Sequence, residues 1–184
     1  MESFIEVLKI FLPSLVTGII AYIIIRSFLK YEQSKSSVEI EKGKQQILIP
    51  ARMQAYERII MFLERITPEN LIRRVLKTSM SSRLFQSDLI AAIRSEYEHN
   101  ISQQVYMSPA AWSMVKTATE ETLRLINVTG SKLPATAMST DLAQRMLEIT
   151  SQINKFPTQV AIENIKKEFA QYFMNEVYTP DSNS

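Results

Sequence analysis

Cysteine is absent from this chain, histidine occurs once, and glycine only three times. Without cysteine there is no disulfide framework, no thiolate zinc site and no thiol nucleophile. A single histidine, His99, rules out an H-E-x-x-H zinc site and leaves one base for any serine hydrolase. Gly18, Gly43 and Gly130 are too scattered for a P-loop, a dinucleotide fingerprint or a G-x-S-x-G elbow. They also leave few positions for the positive-φ turns of tight hairpins. A net charge of +2 is too small for a nucleic-acid binder. No long alternation of apolar and polar residues marks a strand, and no internal repeat of solenoid length is found.

What is present favours helices: Leu, Ile, Met, Glu, Gln, Arg and Ala dominate a chain that is 46% hydrophobic and 22% charged. From Ile10 to Ile25 the sequence reads IFLPSLVTGIIAYIII without a charge. At ~1.5 Å per residue this spans about 24 Å, slightly short of a ~30 Å hydrocarbon core. Lys9 and Arg26 close its two ends, where their long stems can snorkel and let Leu8, Phe28 and Leu29 complete the span. Tyr31 suits the interface beside Lys30. Glu2 and Glu6 before the run, and Arg26 to Lys30 after it, do not suit a cleaved signal peptide. The run is apolar all round, unlike an amphipathic core helix or an interfacial helix. It therefore predicts a single-pass transmembrane anchor over residues 1–29. Ser14 and Gly18 form a small-x-x-x-small pair, a candidate for anchor–anchor packing.

Basic residues are richer after the run (Arg26, Lys30, Lys35, Lys42, Lys44) than before it, where Lys9 stands alone. The positive-inside rule then places the following domain in the cytoplasm. Residues 30–46 read as a polar juxtamembrane linker whose glutamates dilute any attraction to head groups. Residues 47–178 read as the helical domain, and 179–184 as a disordered tail.

Start signals divide that domain into five or six helices. Pro50 suits the first turn of a helix to Ile66, with Met53, Tyr56, Ile59, Ile60, Leu63 and Ile66 on one stripe. Thr67-Pro68-Glu69 predicts a capped short helix to about Lys77. After a serine-rich break, Ile90, Ile93, Tyr97, Ile101 and Val105 predict a long helix over 87–106. Ser108-Pro109 opens the next, with Trp112, Val115, Leu123 and Ile126 inward and Gly130 just past its end. Ser139, Thr140 or Asp141 caps a helix to about Asn154. Pro157 opens the last, with Val160, Ile165, Phe169 and Phe173 inward. The expected fold is all-α: an N-terminal transmembrane helix followed by an antiparallel bundle.

Glu96-x-x-His99 is the motif closest to chemistry, because it sets a carboxylate and an imidazole one turn apart, as di-iron carboxylate bundles do. Such a site needs a second copy and two more glutamates, which only paired protomers could supply. The plainer reading is a helix-surface polar pair. The surrounding segment, Arg94 to Tyr106, is polar for a central helix. Glu96, His99, Asn100 and Gln103 form a candidate interaction face, although a solvated face with Tyr97, Ile101 and Val105 packing explains it more simply. Gln54, Glu57, Arg58, Glu64 and Arg65 decorate the polar side of the preceding helix, and Arg73, Arg74 and Lys77 make a small basic patch.

Two stretches, Pro50 to Ile66 with Pro68 and Asn70-Leu-Ile-Arg73, and Ser95 to Tyr106, resemble a family of uncharacterised, single-pass helical proteins of Bacteroidota-type bacteria. The resemblance covers most of the chain and implies a bacterial inner membrane, with no catalytic residue to carry over. The expected role is a non-enzymatic, membrane-tethered interaction or scaffold module, or a subunit of a larger membrane complex, with the lipid bilayer and a protein partner or second copy as its company. No cofactor, metal or small-molecule substrate is expected. The alternative is a di-metal carboxylate enzyme built from paired protomers.

Overall fold

The computed structural model describes the backbone of residues 2–77 and 79–177 and the side chains of 15–32, 47–77 and 79–173. Its elements are α1 (Glu2–Ile66), α2 (Pro68–Val75), α3 (Ser82–Asn100), a 3-10 segment (Ile101–Tyr106), α4 (Pro109–Ser131), α5 (Ser139–Ser151) and α6 (Pro157–Val177). Among the described residues no strand forms, and one isolated antiparallel bridge joins Ser81 to Met138. The chain is all-α, as expected. It divides into two compact units, Met1–Ile49 and Pro50–Ser184.

The first unit is helical throughout its described backbone, including the stretch read as a linker. Lys, Glu and Gln there are good helix formers, and one glycine at position 43 costs only about 1 kcal/mol. From Leu15 to Leu29 the large apolar side chains are exposed on every face. Among the described residues no helix is long and apolar enough to cross a membrane. The side chains of Lys9 and of Ile10 to Ser14, the start of the uncharged run, lie outside the described residues, as do 179–184.

The second unit opens at Pro50, which sits inside α1 and not at the head of a new helix. The α1 stripe buries Tyr56, Ile59, Leu63 and Ile66 as expected, adds Ala55 and Phe62, and leaves Met53 exposed. Ring contacts and side-chain bonds fix the helix directions. Arg65 and Phe62 of α1 meet Glu96 and Tyr97 of α3. Gln86 and Tyr97 of α3 meet Asn127 and Trp112 of α4. Ser108, which caps α4, meets Glu168 of α6, and Tyr56 of α1 meets Glu168 and Phe169. Arg52 of α1 lies over Tyr172 of α6, and Thr117 and Ala118 of α4 share a groove with Pro157 and Ala161 of α6, so each pair runs in opposing directions and α1, α3, α4 and α6 close an antiparallel ring. Short α5 packs on α3 and α4, with Leu142, Ala143 and Met146 buried.

Several local expectations are corrected. Thr67 does not cap α2 with its side chain; its hydroxyl donates back to Glu64 O at 2.7 Å, while Pro68 fills the first turn as read. Ser81 caps α3 by accepting from Leu84 N at 3.3 Å, which starts that helix five residues earlier than the apolar spacing suggested. After Asn100 the helix tightens to three residues per turn, which rotates Ile101 and Val105 off the buried stripe. Both are exposed, Val105 at 79%. Gly130 lies within α4 with an ordinary φ; an added Cβ there would press on the Gln86 amide, so close packing and not a cap explains it. Met138, not Ser139, Thr140 or Asp141, is the N-cap of α5, and its N–H donates to Asp141 Oδ2 at 2.8 Å. Val160 is exposed, while Ile165 is fully buried.

Candidate functional site

The polar residues singled out on α3 fall at a groove against α1. Residues 58, 61, 62 and 65 recur at helical spacing, so α1 presents Arg58, Met61, Phe62 and Arg65 as one wall. Ser95, Glu96, His99 and Asn100 of α3 form the other, and the groove encloses about 300 Å³. Glu96 Oε1 accepts from Arg65 Nη2 at 2.7 Å and from Arg74 Nη1 at 2.9 Å, which ties α1, α2 and α3 together at one carboxylate. Its side chain keeps 22% exposure and the arginines more, so solvent screening holds each pair to at most about 1 kcal/mol. Asn100 is buried and donates from Nδ2 to Glu96 O at 2.8 Å. His99 donates from Nδ1 to Ser95 O at 2.8 Å, because a carbonyl can only accept.

Glu96, His99 and Asn100 therefore share one groove, while Gln103 lies in the 3-10 segment and donates to the neighbouring Ser102 Oγ at 3.2 Å. Glu96 is already matched by two guanidinium groups, which a metal ion would have to displace. Among the described residues no three His, Asp or Glu side chains gather in a geometry for a cation. Of the residues flanking the apolar run, Arg26 and Lys30 are exposed on α1. Gly18 has open space around it, and the side chains of Lys9 and Ser14 lie outside the described residues.

A second polar constellation went unsignalled. Glu168 Oε1 accepts from the Tyr56 hydroxyl at 2.5 Å and from Ser108 N at 3.3 Å, while Oε2 accepts from Ser108 Oγ. Ser108 Oγ accepts in turn from Ala111 N at 3.0 Å, the cap of α4. The carboxylate thus sits at the positive end of α4 and grips α1 as well. Burial, then the bond to Glu168, pushes the Tyr56 phenol well above the ordinary tyrosine range. That makes it a fixed donor and a poor base, and with no imidazole near Ser108 the trio is a clamp and not a nucleophilic centre. Aromatic packing reinforces it: Tyr56 meets Phe169 edge-on at 5.6 Å, and Arg52 lies over the Tyr172 ring at 5.1 Å. The available signals were only the Ser108-Pro109 start and a tyrosine on an apolar stripe; nothing local marks Glu168.

Two other grooves are more apolar. One, of about 240 Å³ between α3 and α4, has Ile93, Tyr97 and Leu123 in its walls and Arg94, Glu98, Lys116 and Glu120 around them. The other, of about 470 Å³, lies between α4 and α6 and is lined chiefly by small and apolar residues.

The model of a family of unknown function (DUF7935) matches residues 2–172 of this chain. No curated protein and no solved structure matches it.

Proposed function

The chain belongs to that family of unknown function, and we propose that it is a membrane-tethered, non-enzymatic helical interaction module. The observation that carries the reading is the unburied apolar surface of α1. Leu15, Val16, Ile19, Ile20, Ile23, Ile24, Ile25, Phe28 and Leu29 are each between 47% and 61% exposed, with no polar face among them. Monomers in water rarely show contiguous apolar patches beyond a few hundred Å². Every such side chain left in water forgoes about 1.5–3 kcal/mol of burial, whereas hydrocarbon accepts all of them at once. In the sequence the uncharged run reaches back to Ile10, and Arg26 can snorkel so that Phe28 and Leu29 extend it. On this reading the anchor is single-pass in a bacterial inner membrane, and the basic flank at Arg26 and Lys30 keeps the bundle cytoplasmic.

The bundle supports the non-enzymatic half of the proposal through the state of its polar groups. Glu96 is held by arginines, Glu168 by Tyr56 and Ser108, and His99 by a backbone carbonyl. What is left for function is surface, and a tether that fixes where the surface works.

Fractionation of cells expressing the full chain tests the tether. The protein should stay in the membrane pellet through an alkaline carbonate wash, and deletion of Met1 to Leu29 should release a helical bundle into the supernatant. Full-length protein in the carbonate supernatant would refute the anchor. Purification in mild detergent should bring down a stoichiometric protein partner or a second copy, whereas a purely monomeric eluate would count against the interaction role.

A further inference from the structure

We propose that the groove between α1 and α3 is the docking site of an acidic peptide segment on a protein partner, which rests on the reading of the bundle as an interaction module. Charge is the first argument. Arg58, Arg65 and Arg74 stand at or beside the groove against the single carboxylate of Glu96, so the guanidinium charges exceed the carboxylate charge by two. Both ion pairs use the same oxygen of Glu96, and Arg58 makes no ion pair among the described residues. A planar guanidinium presents a fork that fits a carboxylate in two-point fashion; Arg58 presents its fork unpaired, while Arg65 and Arg74 each give one nitrogen to Glu96.

Shape is the second argument. Arg58 and Arg65 lie two turns apart on α1, about 10.5 Å along its axis. Between them stands Met61, 57% exposed, a flexible thioether that adapts to an apolar side chain. Asn100 and Phe62 close the inner side of the groove and are buried. Basic heads flanking a soft apolar contact in a recess match a peptide whose acidic residues bracket an apolar one. A lipid surface would be met by basic side chains on a flat or convex face, and offers no side chain to the recess. Ser95 Oγ and Nε2 of His99 add polar atoms that a peptide backbone can use.

The test uses the full chain in a zwitterionic detergent, with fluorescence anisotropy of a labelled short peptide of Glu, Leu and Ala as the readout. Saturable binding is expected, lost when Gln replaces Glu in the peptide and weakened by rising salt. Arg58→Glu should weaken it about tenfold or more and shift preference to a peptide carrying Lys in place of Glu. Arg94→Glu, in the neighbouring groove, should leave it unchanged. Unchanged Trp112 emission would show that both variants are folded. Absence of saturable binding, equal weakening by Arg58→Glu and Arg94→Glu, or an Arg58-dependent preference for phosphatidylglycerol vesicles over the peptide would each overturn the proposal. A partner that co-purifies as well with the Arg58→Glu chain as with the natural one would sink the groove while leaving the interaction role standing.

Discussion

Replacing Glu168 by Ala should be among the most damaging single changes at the edge of the core. The carboxylate accepts from Tyr56, whose side chain is 1% exposed, and from both the N–H and hydroxyl of Ser108. A hydrogen bond to a charged group contributes about 1.5–3 kcal/mol, and a stranded buried hydroxyl forfeits most of that. Ser108 is half-buried and can turn to water, so its two bonds add less, and the lost charge at the α4 N-terminus adds about 0.3–1 kcal/mol. Alanine returns a few tenths through helix propensity. The sum is a loss of about 2–4 kcal/mol. Tyr56→Phe alone should cost about 1–2 kcal/mol, and the double variant should show a coupling of about 1.5 kcal/mol. The chain's one tryptophan, Trp112, is buried against Tyr97, so its emission during urea unfolding reports the bundle and not the apolar part of α1. A cost under about 0.5 kcal/mol for Glu168→Ala, or additive single costs, would show that the clamp contributes nothing and that the reasoning from its geometry fails.

Two further outcomes follow from the same packing. Because the folded state holds the Tyr56 phenol's proton more tightly than the unfolded chain does, its contribution is intact below about pH 10 and declines as pH rises beyond it. Urea midpoints measured across that range should fall more steeply for the natural chain than for Tyr56→Phe; parallel slopes would contradict the assignment. Gly130→Ala should shift stability by less than about 1 kcal/mol, because the helix-propensity gain offsets loss of the 3.1 Å Gln86–Asn127 bond. In a Gln86→Ala background the same change should stabilise by up to about 1 kcal/mol. A destabilisation there, read by the same urea titration, would mean that backbone and not the Gln86 amide blocks the position.

Sequence reading served where the cause was local. Pro68, Ser108-Pro109 and Pro157 each open a helix, since a fixed φ and a missing N–H act within one turn. The inward stripes of α1 and α4 were legible for the same reason. The errors lie where distant chain decides. Gly130 looked like a terminus because nothing in its neighbourhood reveals the Gln86 side chain against it. Asn100 to Tyr106 carries no breaker, so its tightening to a 3-10 turn left no mark, and Ile101 and Val105 were placed inward. Glu96 was noticed through its spacing from His99, yet its partners are Arg65 and Arg74, residues that read as solvated decoration. Glu168 had no signal at all, being joined to Tyr56 across 112 positions.

The bridge between Ser81 and Met138 has a kinetic meaning. Around it Ser82 N donates to Ala137 O at 3.0 Å, Ser139 N to Met80 O at 3.0 Å, and Ser139 Oγ to Lys77 O at 2.7 Å. The turns that precede α3 and α5 are thus stitched into one seam, with Ser139 wholly buried in it. Neither turn can lift while the other stays, so the amides of Ser82 and Ser139 should surrender deuterium protection in a single shared opening event. Two connections that are separate in the chain behave as one joint, and the first turns of α3 and α5 should open together.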